Sequence, residues 1–575
     1  GEYDQSMRRE VAASMIEHGF FQDLGFQPNL LSASEEIWIG ISQIGSKPLY
    51  YWVAALPLRF LSAIDVAYQL YAVRLLSLLF YLVTITAAYG FAVELTPAKH
   101  PLRWLLPLSI LLIPSFVDIL TAVNDDVGAT ALFSLFLWSG VRLIKRGANW
   151  TRILVFLLLT GLCFYTKNTV MIAVLLAVIP LLFSIVRGQK QRYAWIALTV
   201  GIVISLVLLF DFGSPKNWYP EVGAGSTIRV IDKESPVGKH VFAFHLTHDA
   251  SNSRVSQLIP SNETDQAGKT SYTVGAWIWA DRPIAVQTPT LHLSNRSAAK
   301  LVEVDQVPRF FSFTEKVGAA ARPYKISLSP DPNAVDEPVT IYYDGIIFTE
   351  GAWDGENPRM DDASGRSGLW SGREFTNQVR NSSAEIPGLT LRNWIESAFL
   401  KLIPGNPDLI LGLIQDPSPL ISYYTFTVKS LFHTFWARFG WGHVLLFGYR
   451  PYSILGLFTM AGVVGGVVAF WRHRKQIHWD LFLFLGLSVI TIWGSAFLRG
   501  LTSLMDGGYF IPVARYAYPA IIPTMLILNI GWLEIIHWIE HYFKIRQKYQ
   551  LCLLIALFLL LDVFSIYSIY AFYLD

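Results

Sequence analysis

The sequence predicts an α-helical multi-pass membrane protein that carries one inserted, extracytoplasmic β-sandwich domain. Hydrophobic residues make up 53% of the 575 residues and charged residues only 15%, a balance typical of membrane proteins rather than of soluble ones. About ten apolar runs are long enough, at about 17–25 residues, to cross a bilayer as helices. Between the sixth and seventh runs, a long stretch alternates apolar and polar residues as β-strands do.

Each predicted span is one apolar run. The spans are 69–96, 102–122, 126–145, 151–166, 169–187, 193–212, 452–471, 479–497, 516–537 and 550–573. The segment 47–60 is shorter and is interrupted by proline, so it predicts a re-entrant or interfacial helix. Residues 8–21 form an amphipathic run, and 422–441 predict an amphipathic helix on the outer membrane face.

Basic residues fix the orientation of these spans. They cluster in four loops that fall on one side when the spans are counted as above: Lys145, Arg146 and Arg152; Arg187, Lys190 and Arg192; Arg472, Arg474 and Lys475; Lys544, Arg546 and Lys548. The positive-inside rule makes that side cytoplasmic, which we take to be the inner face of the plasma (inner) membrane. The external segments are then 1–68, 124–126, 166–169, 213–450 and 498–515.

The beginning of the chain has a consequence for this topology. The N-terminus is predicted to be external, yet the chain starts at Gly1 without an initiator Met or a signal segment. We therefore expect one more transmembrane helix before Gly1 in the native protein.

The net charge of +2 provides no strong field that would favour nucleic acid as a partner.

Composition divides the chain into four regions. They are an N-terminal membrane region with the first external loop (1–212), a β-sandwich (213–400), interfacial helices (401–450) and C-terminal transmembrane helices (451–575). The phrase Ile-Tyr-Tyr-Asp-Gly-Ile-Ile-Phe at 341–348 looks like the last strand of a jelly-roll carbohydrate-binding module. Many jelly rolls without a sugar ligand share it, so sugar binding and a structural or acceptor-docking role both stay open.

Ionisable groups close to a membrane are costly, so they are usually paired or functional. On the external side they are Glu2, Asp4, Lys47, Arg74, Asp125, Asp126, Lys167, Arg499 and Arg515. Cations in such a set suit a phosphate head group whose lipid tail lies between helices. An acid suits the deprotonation of an incoming hydroxyl. The set therefore predicts a site for a lipid phosphate and a hydroxyl acceptor.

For several of these residues, a structural role is the alternative to a role in ligand binding or catalysis. Asp125 and Asp126 could cap a helix N-terminus. Arg74 could snorkel or pair with a carboxylate, and the same holds for Arg499. Lone lysines such as Lys47 and Lys167 are harder to explain structurally, because the positive-inside rule disfavours them in short external turns.

Five sequence elements, in this order, resemble the GT-C superfamily of glycosyltransferases. They are the external acids Glu2 and Asp4, Lys-Pro-Leu-Tyr-Tyr-Trp at 47–52, Asn-Asp-Asp at 124–126, Tyr-Thr-Lys-Asn-Thr at 165–169 and Arg-Tyr-x-x-Pro at 515–519. By motif the chain is most similar to the protein O-mannosyltransferases and the lipid A aminoarabinose transferase. The resemblance covers the N-terminal half of the membrane region well and the C-terminal spans loosely, and it does not cover the β-rich insert.

The resemblance implies an inverting transfer of sugar from a polyprenyl-phosphate donor on the external face. It gives Asp4 as the catalytic base, with Glu2 as the nearest alternative because Gln5 stands where the family often has Glu. Lys47 and Lys167 match lysines that contact or approach the donor phosphate, and Arg515 is a candidate third cation. No cofactor is required, and although some relatives bind a divalent metal, the spacing of His, Cys and Asp here does not support one.

The remaining candidates and functions stay less defined. Asp125, Asp126, Arg74 and Tyr50 are candidates for acceptor binding or for structural roles. The acceptor could be a glycan, a lipid or a protein. A transporter or flippase of lipid-linked sugar is one alternative, although the sequence shows no internal repeat. A non-catalytic, sugar-binding membrane protein is the other.

Overall fold

The structure is a computed structural model of the chain. It describes residues 5–17, 29–30, 47, 49–186, 191–222, 226–247, 253–260, 270–293, 296–317, 324–330, 337–392, 411, 418, 421–442, 444–448, 450–500 and 512–574. The chain forms two compact units. The helical unit consists of Gly1–Ile196, Val428–Phe497 and Pro512–Asp575, and the β unit consists of Ala197–Thr427 and Leu498–Ile511.

Helices precede and follow the β-strands. Those before them are α1 (Gln5–Glu17), α2 (Leu49–Leu61), α3 (Val66–Leu95), α4 (Leu102–Leu111), α5 (Pro114–Leu120), α6 (Asp125–Arg146), α7 (Trp150–Thr166), α8 (Ala173–Leu176), α9 (Val178–Ile185) and α10 (Gln191–Leu209). Those after them are α11 (Ile421–Trp436), α12 (Arg450–His473), α13 (Trp479–Leu498), α14 (Ile521–Phe543) and α15 (Gln547–Leu574). Short 3₁₀ turns lie at Asn168–Val170, Ala514–Tyr516 and Tyr518–Ala520.

The long apolar helices agree with a membrane protein. In the described part of the chain, eight helical segments have the length and apolar composition needed to cross a bilayer. They are Val66–Leu95, Asp125–Arg146, Asn168–Ile185, Arg192–Leu209, Arg450–Gln476, Trp479–Leu498, Tyr518–Phe543 and Gln547–Leu574. Helices α2 and α7 are apolar but shorter, and they occupy the predicted segments 47–60 and 151–166.

The predicted span 102–122 is divided rather than continuous. Helices α4 and α5 meet at an angle of 67°, and together they are apolar enough for a ninth span or a re-entrant segment. Ile113 has an extended backbone at the break, with φ −91° and ψ 109°, and Pro114 begins α5. A proline has no N–H to continue a helix and disfavours helical geometry in the residue before it. The bend follows from that position.

Helices α12 and α14 approach each other through glycine. A Cβ on Gly531 would overlap the carbonyl oxygen of Gly462, and one on Gly465 would overlap the carbonyl oxygen of Gly531. Neither position accepts a side chain unless the helices move apart. Small residues commonly allow such contacts between membrane helices. Next to the contact, the Trp532 ring stacks on Phe458 with 4.3 Å between ring centroids.

Several basic residues near the helix ends have acidic partners on neighbouring helices. Glu94, in the last turn of α3, lies 2.8 Å from Arg146 and 3.8 Å from Arg142, both on α6. Arg472, at the end of α12, lies 2.9 Å from Glu534 on α14. These ion pairs join helices at the ends that the positive-inside rule predicts to be cytoplasmic.

The β unit contains most of the strands. They are β1 (Phe210–Pro215), β2 (Tyr219–Glu221), β3 (Ser226–Asp232), β4 (His240–Leu246), β5 (Arg254–Ile259), β6 (Thr270–Ala280), β7 (Ile284–Gln287), β8 (Thr290–His292), β9 (Ser297–Ala298), β10 (Leu301–Val304), β11 (Arg309–Val317), β12 (Tyr324–Leu328), β13 (Val339–Glu350), β14 (Arg359–Met360), β15 (Ser367–Trp370), β16 (Arg373–Thr376) and β17 (Pro387–Leu391). The short strands β18 (Arg438–Phe439) and β19 (Val444–Leu445) belong to the helical unit.

Two antiparallel sheets form a sandwich. Their strand orders are β11-β6-β13-β4-β3 and β2-β5-β12-β8-β9, with five strands in each. Alternate residues of both sheets point into one buried core, which contains Phe242, Ile278, Ile326 and Tyr343. The alternation of apolar and polar residues therefore predicted a β-sandwich inserted between helices, and the structure confirms that arrangement.

A buried carboxylate lies at an irregularity in β13. The pairing of β13 with β6 shifts register after Asp344, where Gly345 has a φ of +53° that favours glycine. The Asp344 carboxylate accepts hydrogen bonds from the backbone N–H groups of Val237 (2.8 Å) and Gly345 (2.7 Å). Burial nevertheless raises the pKa of Asp344 to about 7, since these hydrogen bonds offset only part of the desolvation.

The glycine contact predicts a large difference between two otherwise similar substitutions. Gly531→Val is expected to push α12 and α14 apart and to destabilise the protein by about 1–3 kcal/mol or more. Gly494→Val, on α13, is the matched control, because a Cβ there meets no atom within 4 Å. Thermal unfolding of the purified chain in detergent measures both. Equal losses of Tm in the two variants would contradict the close approach of α12 and α14 at Gly531.

The raised pKa of Asp344 predicts a pH dependence of stability. Between the ordinary aspartate pKa and about 7, the folded chain keeps a proton that the unfolded chain has lost. Stability should therefore fall as pH rises through that window, by up to about 1.4 kcal/mol per pH unit, and level off above it. Asp344→Asn should remove this slope, whereas Asp354→Asn, at an exposed site, should keep it. Thermal unfolding measured across the window tests this.

Candidate functional site

A lysine at the end of one helix meets two aspartates at the start of another. Asp125 and Asp126 lie in the first turn of α6, where the helix dipole favours negative charge. Lys167 ends α7 with an extended backbone, at φ −159° and ψ 148°. Its Nζ lies 2.5 Å from Asp125 Oδ1 and 2.8 Å from Asp126 Oδ1. We call Asp125, Asp126, Lys167, Arg515 and Tyr516 together the polar end.

Arg515 and Tyr516 complete the polar end from the C-terminal part of the chain. Arg515 Nε lies 3.8 Å from Asp126 Oδ2, on the side of the carboxylate that Lys167 leaves open. The guanidinium stacks over the Tyr516 ring at 4.9 Å and donates to its hydroxyl at 2.7 Å. The Lys167 ammonium lies 5.5 Å from the centre of the same ring. Two cations, two acids and one aromatic ring therefore form a single cluster.

Helix α11 holds the segment that carries Arg515. Thr434 Oγ1 accepts the backbone N–H of Ala514 at 2.8 Å, and Ser430 Oγ donates to the Pro512 carbonyl at 2.7 Å. The buried Tyr518 hydroxyl donates to the Thr434 carbonyl at 3.0 Å. These bonds fix the backbone on both sides of Arg515, so its guanidinium is positioned before any ligand arrives.

Tyr50 and Lys47 approach the polar end from the segment before α3. A Cβ on Gly128, one turn into α6, would lie 3.2 Å from the Tyr50 ring, and the Tyr50 hydroxyl is 3.1 Å from Ser77 Oγ. Lys47 Nζ donates to the Phe164 carbonyl at 2.5 Å, in the last turn of α7. The Lys47 ammonium therefore lies beside the last turn of α7, which directly precedes Lys167.

Lys47 differs from the other cations in its partners. Its ammonium contacts a carbonyl, the Met171 sulfur at 3.4 Å and the Phe164 ring at 4.1 Å, but it forms no ion pair with a carboxylate in the described part of the chain. Burial lowers the pKa of Lys47 from its ordinary value. A partly buried cation that lacks an anionic partner in the described structure gains from any anion that reaches it.

Asp118 is a further acid near the polar end. It lies on α5, is half-buried, and its carboxylate has no hydrogen bond or ion pair in the described structure. Arg74, on α3, is the cation whose charge acts on it. Phe116, two residues before Asp118, packs edge-on against Tyr518 at 5.0 Å, which places α5 next to the segment that carries Arg515.

The structure thus brings together most of the described residues that the sequence singled out. Asp125, Asp126, Lys167 and Arg515 form the polar end, while Tyr50 and Lys47 contact the two helices that carry it. Arg74 is exposed and lies near Asp118 rather than in the cluster. Glu2 and Asp4 lie outside the described residues, and Arg499 belongs to the β unit.

Three residues of this region were missed in the sequence. Tyr516 was quoted in a motif and Tyr518 was one of its unspecified positions, and neither was given a role, because the contacts of an aromatic ring are visible only in three dimensions. Asp118 carried a usable signal, since it is an acid inside the apolar run 112–120. Within the described residues, no three His, Cys, Asp or Glu side chains are grouped so that they could hold a metal ion.

The aromatic side chains of the β unit are mainly engaged in packing. On the outer face of β6 and β13, Trp279 stacks on Tyr342 with 5.3 Å between centroids, and the Lys233 ammonium covers the Tyr342 ring at 3.7 Å. Trp353 stacks on the buried Trp370 at 6.0 Å. Sugar recognition through flat aromatic surfaces would require such rings to be uncovered.

Comparison with solved structures finds sugar-binding domains that match part of the chain. TmCBM61 in complex with β-1,4-galactotriose matches with 14% identity and a TM-score of 0.20, over 24% of this chain and 90% of that chain. The N-terminal cellulose-binding domain of Cellulomonas fimi β-1,4-glucanase C matches with 11% identity and a TM-score of 0.18, over 25% and 95%. At such scores these matches carry no argument about this chain. No protein-family profile and no curated protein matches it.

The ion pairs of the polar end predict that Lys167 is needed for stability. Lys167→Met leaves the buried Asp126 with one distant cation, and breaking a buried pair in this way costs about 3–5 kcal/mol. Adding Asp126→Asn should recover part of that loss. Lys47→Met, which breaks no ion pair within the described ranges, should cost much less. Thermal unfolding of four variants measures this coupling. They are Lys167→Met, Asp126→Asn, the double variant that combines these two, and Lys47→Met.

Proposed function

We propose that the chain is an inverting glycosyltransferase that moves a sugar from a polyprenyl-phosphate donor to an acceptor hydroxyl at the external face of a membrane. The observation that carries the proposal is the convergence of Lys47, Lys167 and Arg515 near the N-terminus of α6, at one end of a set of apolar helices. Cations at such a position match a lipid phosphate, whose tail can remain among the helices.

The charge distribution indicates which cation meets the phosphate. Lys167 and Arg515 are balanced by Asp125 and Asp126, whereas Lys47 has no carboxylate partner among the residues that the structure describes. Lys47 is therefore the group best placed to gain an anionic ligand. Asp125 is more exposed than Asp126, with 13% against 2% of the side chain accessible, so a phosphate could replace Asp125 at Lys167 and leave the buried pair intact.

The proposed reaction is a single displacement. The acceptor oxygen forms a bond to the anomeric carbon while the bond from that carbon to the phosphate oxygen breaks, and the electron pair of this bond stays on the phosphate. A carboxylate takes the hydroxyl proton, and the resemblance assigns this role to Asp4 with Glu2 as the alternative. Lys47, Lys167 and Arg515 would stabilise the leaving phosphate in a site with little water.

The two ends of α6 support the expected orientation. Its first turn carries Asp125 and Asp126, and its last turn carries Lys145 and Arg146. The helix has 22 residues, so these ends are about 30 Å apart, the thickness of a bilayer core. With the basic end in the cytoplasm, the polar end faces the outside, as an external transferase requires.

A transfer assay with Lys47 variants tests the proposal. Membranes containing the chain receive a panel of undecaprenyl-phosphate sugars labelled in the sugar, and the release of undecaprenyl phosphate is followed. Lys47→Met should lower kcat/KM by about 100-fold or more, the usual effect of removing one group that stabilises developing charge. Lys475→Met, at an exposed position on the basic side, is the matched control and should leave the rate unchanged.

Two other outcomes would replace the proposal. Movement of labelled lipid across liposomes without any transfer product would favour a transporter or flippase. Binding of labelled glycan without release of undecaprenyl phosphate by the unchanged chain would favour a non-catalytic, sugar-binding membrane protein.

A further inference from the structure

Arg515 is the charged residue of the polar end that a ligand can reach most easily. Its side chain is 25% accessible, against 12% for Lys167, 13% for Asp125 and 2% for Asp126. Its Nε stays 3.8 Å from Asp126 Oδ2, whereas Lys167 Nζ lies 2.5 Å and 2.8 Å from the two aspartates. A direct bond from a guanidinium to a carboxylate measures about 2.7–2.9 Å, so Arg515 stops about 1 Å short of the contact that its charge favours.

The position of the guanidinium is explained by its contact with Tyr516. Arg515 Nη2 donates to the Tyr516 hydroxyl at 2.7 Å, and Arg515 Cζ lies 4.9 Å from the centre of the ring. The two residues are neighbours in the 3₁₀ turn Ala514–Tyr516, where three residues per turn place consecutive side chains about 120° apart. The guanidinium therefore reaches the hydroxyl only because the long arginine side chain folds back over the ring of its neighbour.

The Tyr516 ring has little freedom to move. It is 5% accessible, and the Lys167 ammonium lies 5.5 Å from its centre. The backbone around it is also fixed, because Ala517 donates its N–H to the Ala514 carbonyl at 2.8 Å and Thr434 Oγ1 accepts the N–H of Ala514 at 2.8 Å. A hydroxyl on a fixed ring and a fixed backbone gives the guanidinium one defined position.

A second pair of neighbouring arginine and tyrosine residues shows what this contact does alone. Arg192 donates to the Tyr193 hydroxyl at 3.1 Å, and its Cζ lies 5.0 Å from the ring centre. Both residues are exposed at the start of α10, and Arg192 forms no ion pair within the described ranges. The contact by itself is therefore an ordinary surface arrangement. What distinguishes Arg515 is the buried carboxylate of Asp126, which its guanidinium approaches to 3.8 Å without closing on it.

We propose that Tyr516 is a positioning residue that holds the Arg515 guanidinium in place for the phosphate of the lipid donor. This inference rests on the proposed function. With the hydroxyl present, the cation stays available to the leaving phosphate, whose negative charge grows as its bond to the sugar breaks. Without the hydroxyl, the guanidinium closes on Asp126, and the charges of the polar end neutralise one another. Tyr516 thus acts through Arg515 and does not itself need to touch the substrate.

The test uses undecaprenyl phosphate, the lipid that the proposed reaction releases, as the probe. Its Kd is measured with the purified unchanged chain and with Tyr516→Phe, which keeps the ring and removes only the hydroxyl. We expect Kd to rise about 10-fold or more, the usual effect of losing one hydrogen bond to a charged group. Undecaprenol, which lacks the phosphate, should bind both chains equally. Tm should not fall, because a closer ion pair between Arg515 and Asp126 replaces the lost bond.

A double-variant cycle shows whether Tyr516 acts through Arg515. Arg515→Gln should weaken the binding of undecaprenyl phosphate by itself. Adding Tyr516→Phe should then weaken binding no further, because no guanidinium remains to be positioned. If Tyr516 had a merely structural role, its effect on binding would add to that of Arg515→Gln. Tyr193→Phe is the matched control, since it removes the same kind of hydrogen bond from the exposed pair, and it should leave Kd unchanged.

The outcomes separate this inference from the proposed function. Three results would overturn the role of Tyr516 and leave the transferase intact: a Kd for Tyr516→Phe within about twofold of the unchanged chain, additive losses in the cycle, or a lower Tm for Tyr516→Phe. If the cycle gives the expected coupling but the unchanged chain transfers sugar from no donor, the proposed function fails and the positioning of Arg515 stands. A chain that neither binds nor releases undecaprenyl phosphate overturns both.

Discussion

The contact of Lys167 with Asp125 and Asp126 is the interaction on which the polar end depends. It joins the residue that directly follows α7 to the first turn of α6. Asp126 is almost fully buried, so its charge is tolerated only while both Lys167 and Arg515 remain close. Arg515 comes from a distant part of the sequence, and the same carboxylate therefore ties the C-terminal helices to the N-terminal ones.

The helices and strands could be predicted from the sequence to a large extent, because length and hydrophobic periodicity decide them locally. The ten apolar runs lie largely on helices, although the run 193–212 ends in β1 and the run 169–187 is divided between a 3₁₀ turn, α8 and α9. The alternating stretch forms two five-stranded sheets. The break between α4 and α5 was not predicted, although Pro114 marks it. A run of apolar residues gives the total length of a span but does not show that the chain bends within it.

The site was less predictable for a different reason. Charge and sidedness selected Asp125, Asp126, Lys167 and Arg515, but not how they pair, since pairing depends on the rotation of each helix about its axis. Lys167 was expected to meet a phosphate, and in the structure its ammonium is already bound to two carboxylates. Asp118 was overlooked because it follows no motif, although an acid inside an apolar run was a usable signal.

Charged residues that already form ion pairs give little evidence for catalysis or ligand binding. Glu94 with Arg146 and Glu534 with Arg472 show that ion pairs also occur at the opposite, basic ends of the helices, where no reaction is expected. The ion pair between Lys167 and Asp126 is of the same kind as these two pairs, so a role in folding is enough to explain it. Lys47 differs from these pairs, because its partly buried ammonium contacts a carbonyl, a sulfur and an aromatic ring but no carboxylate in the described structure. Desolvating a charge costs free energy that a carbonyl and an aromatic ring return only in part, so a cation left in this state beside the polar end is a structural reason to look for an anionic substrate there.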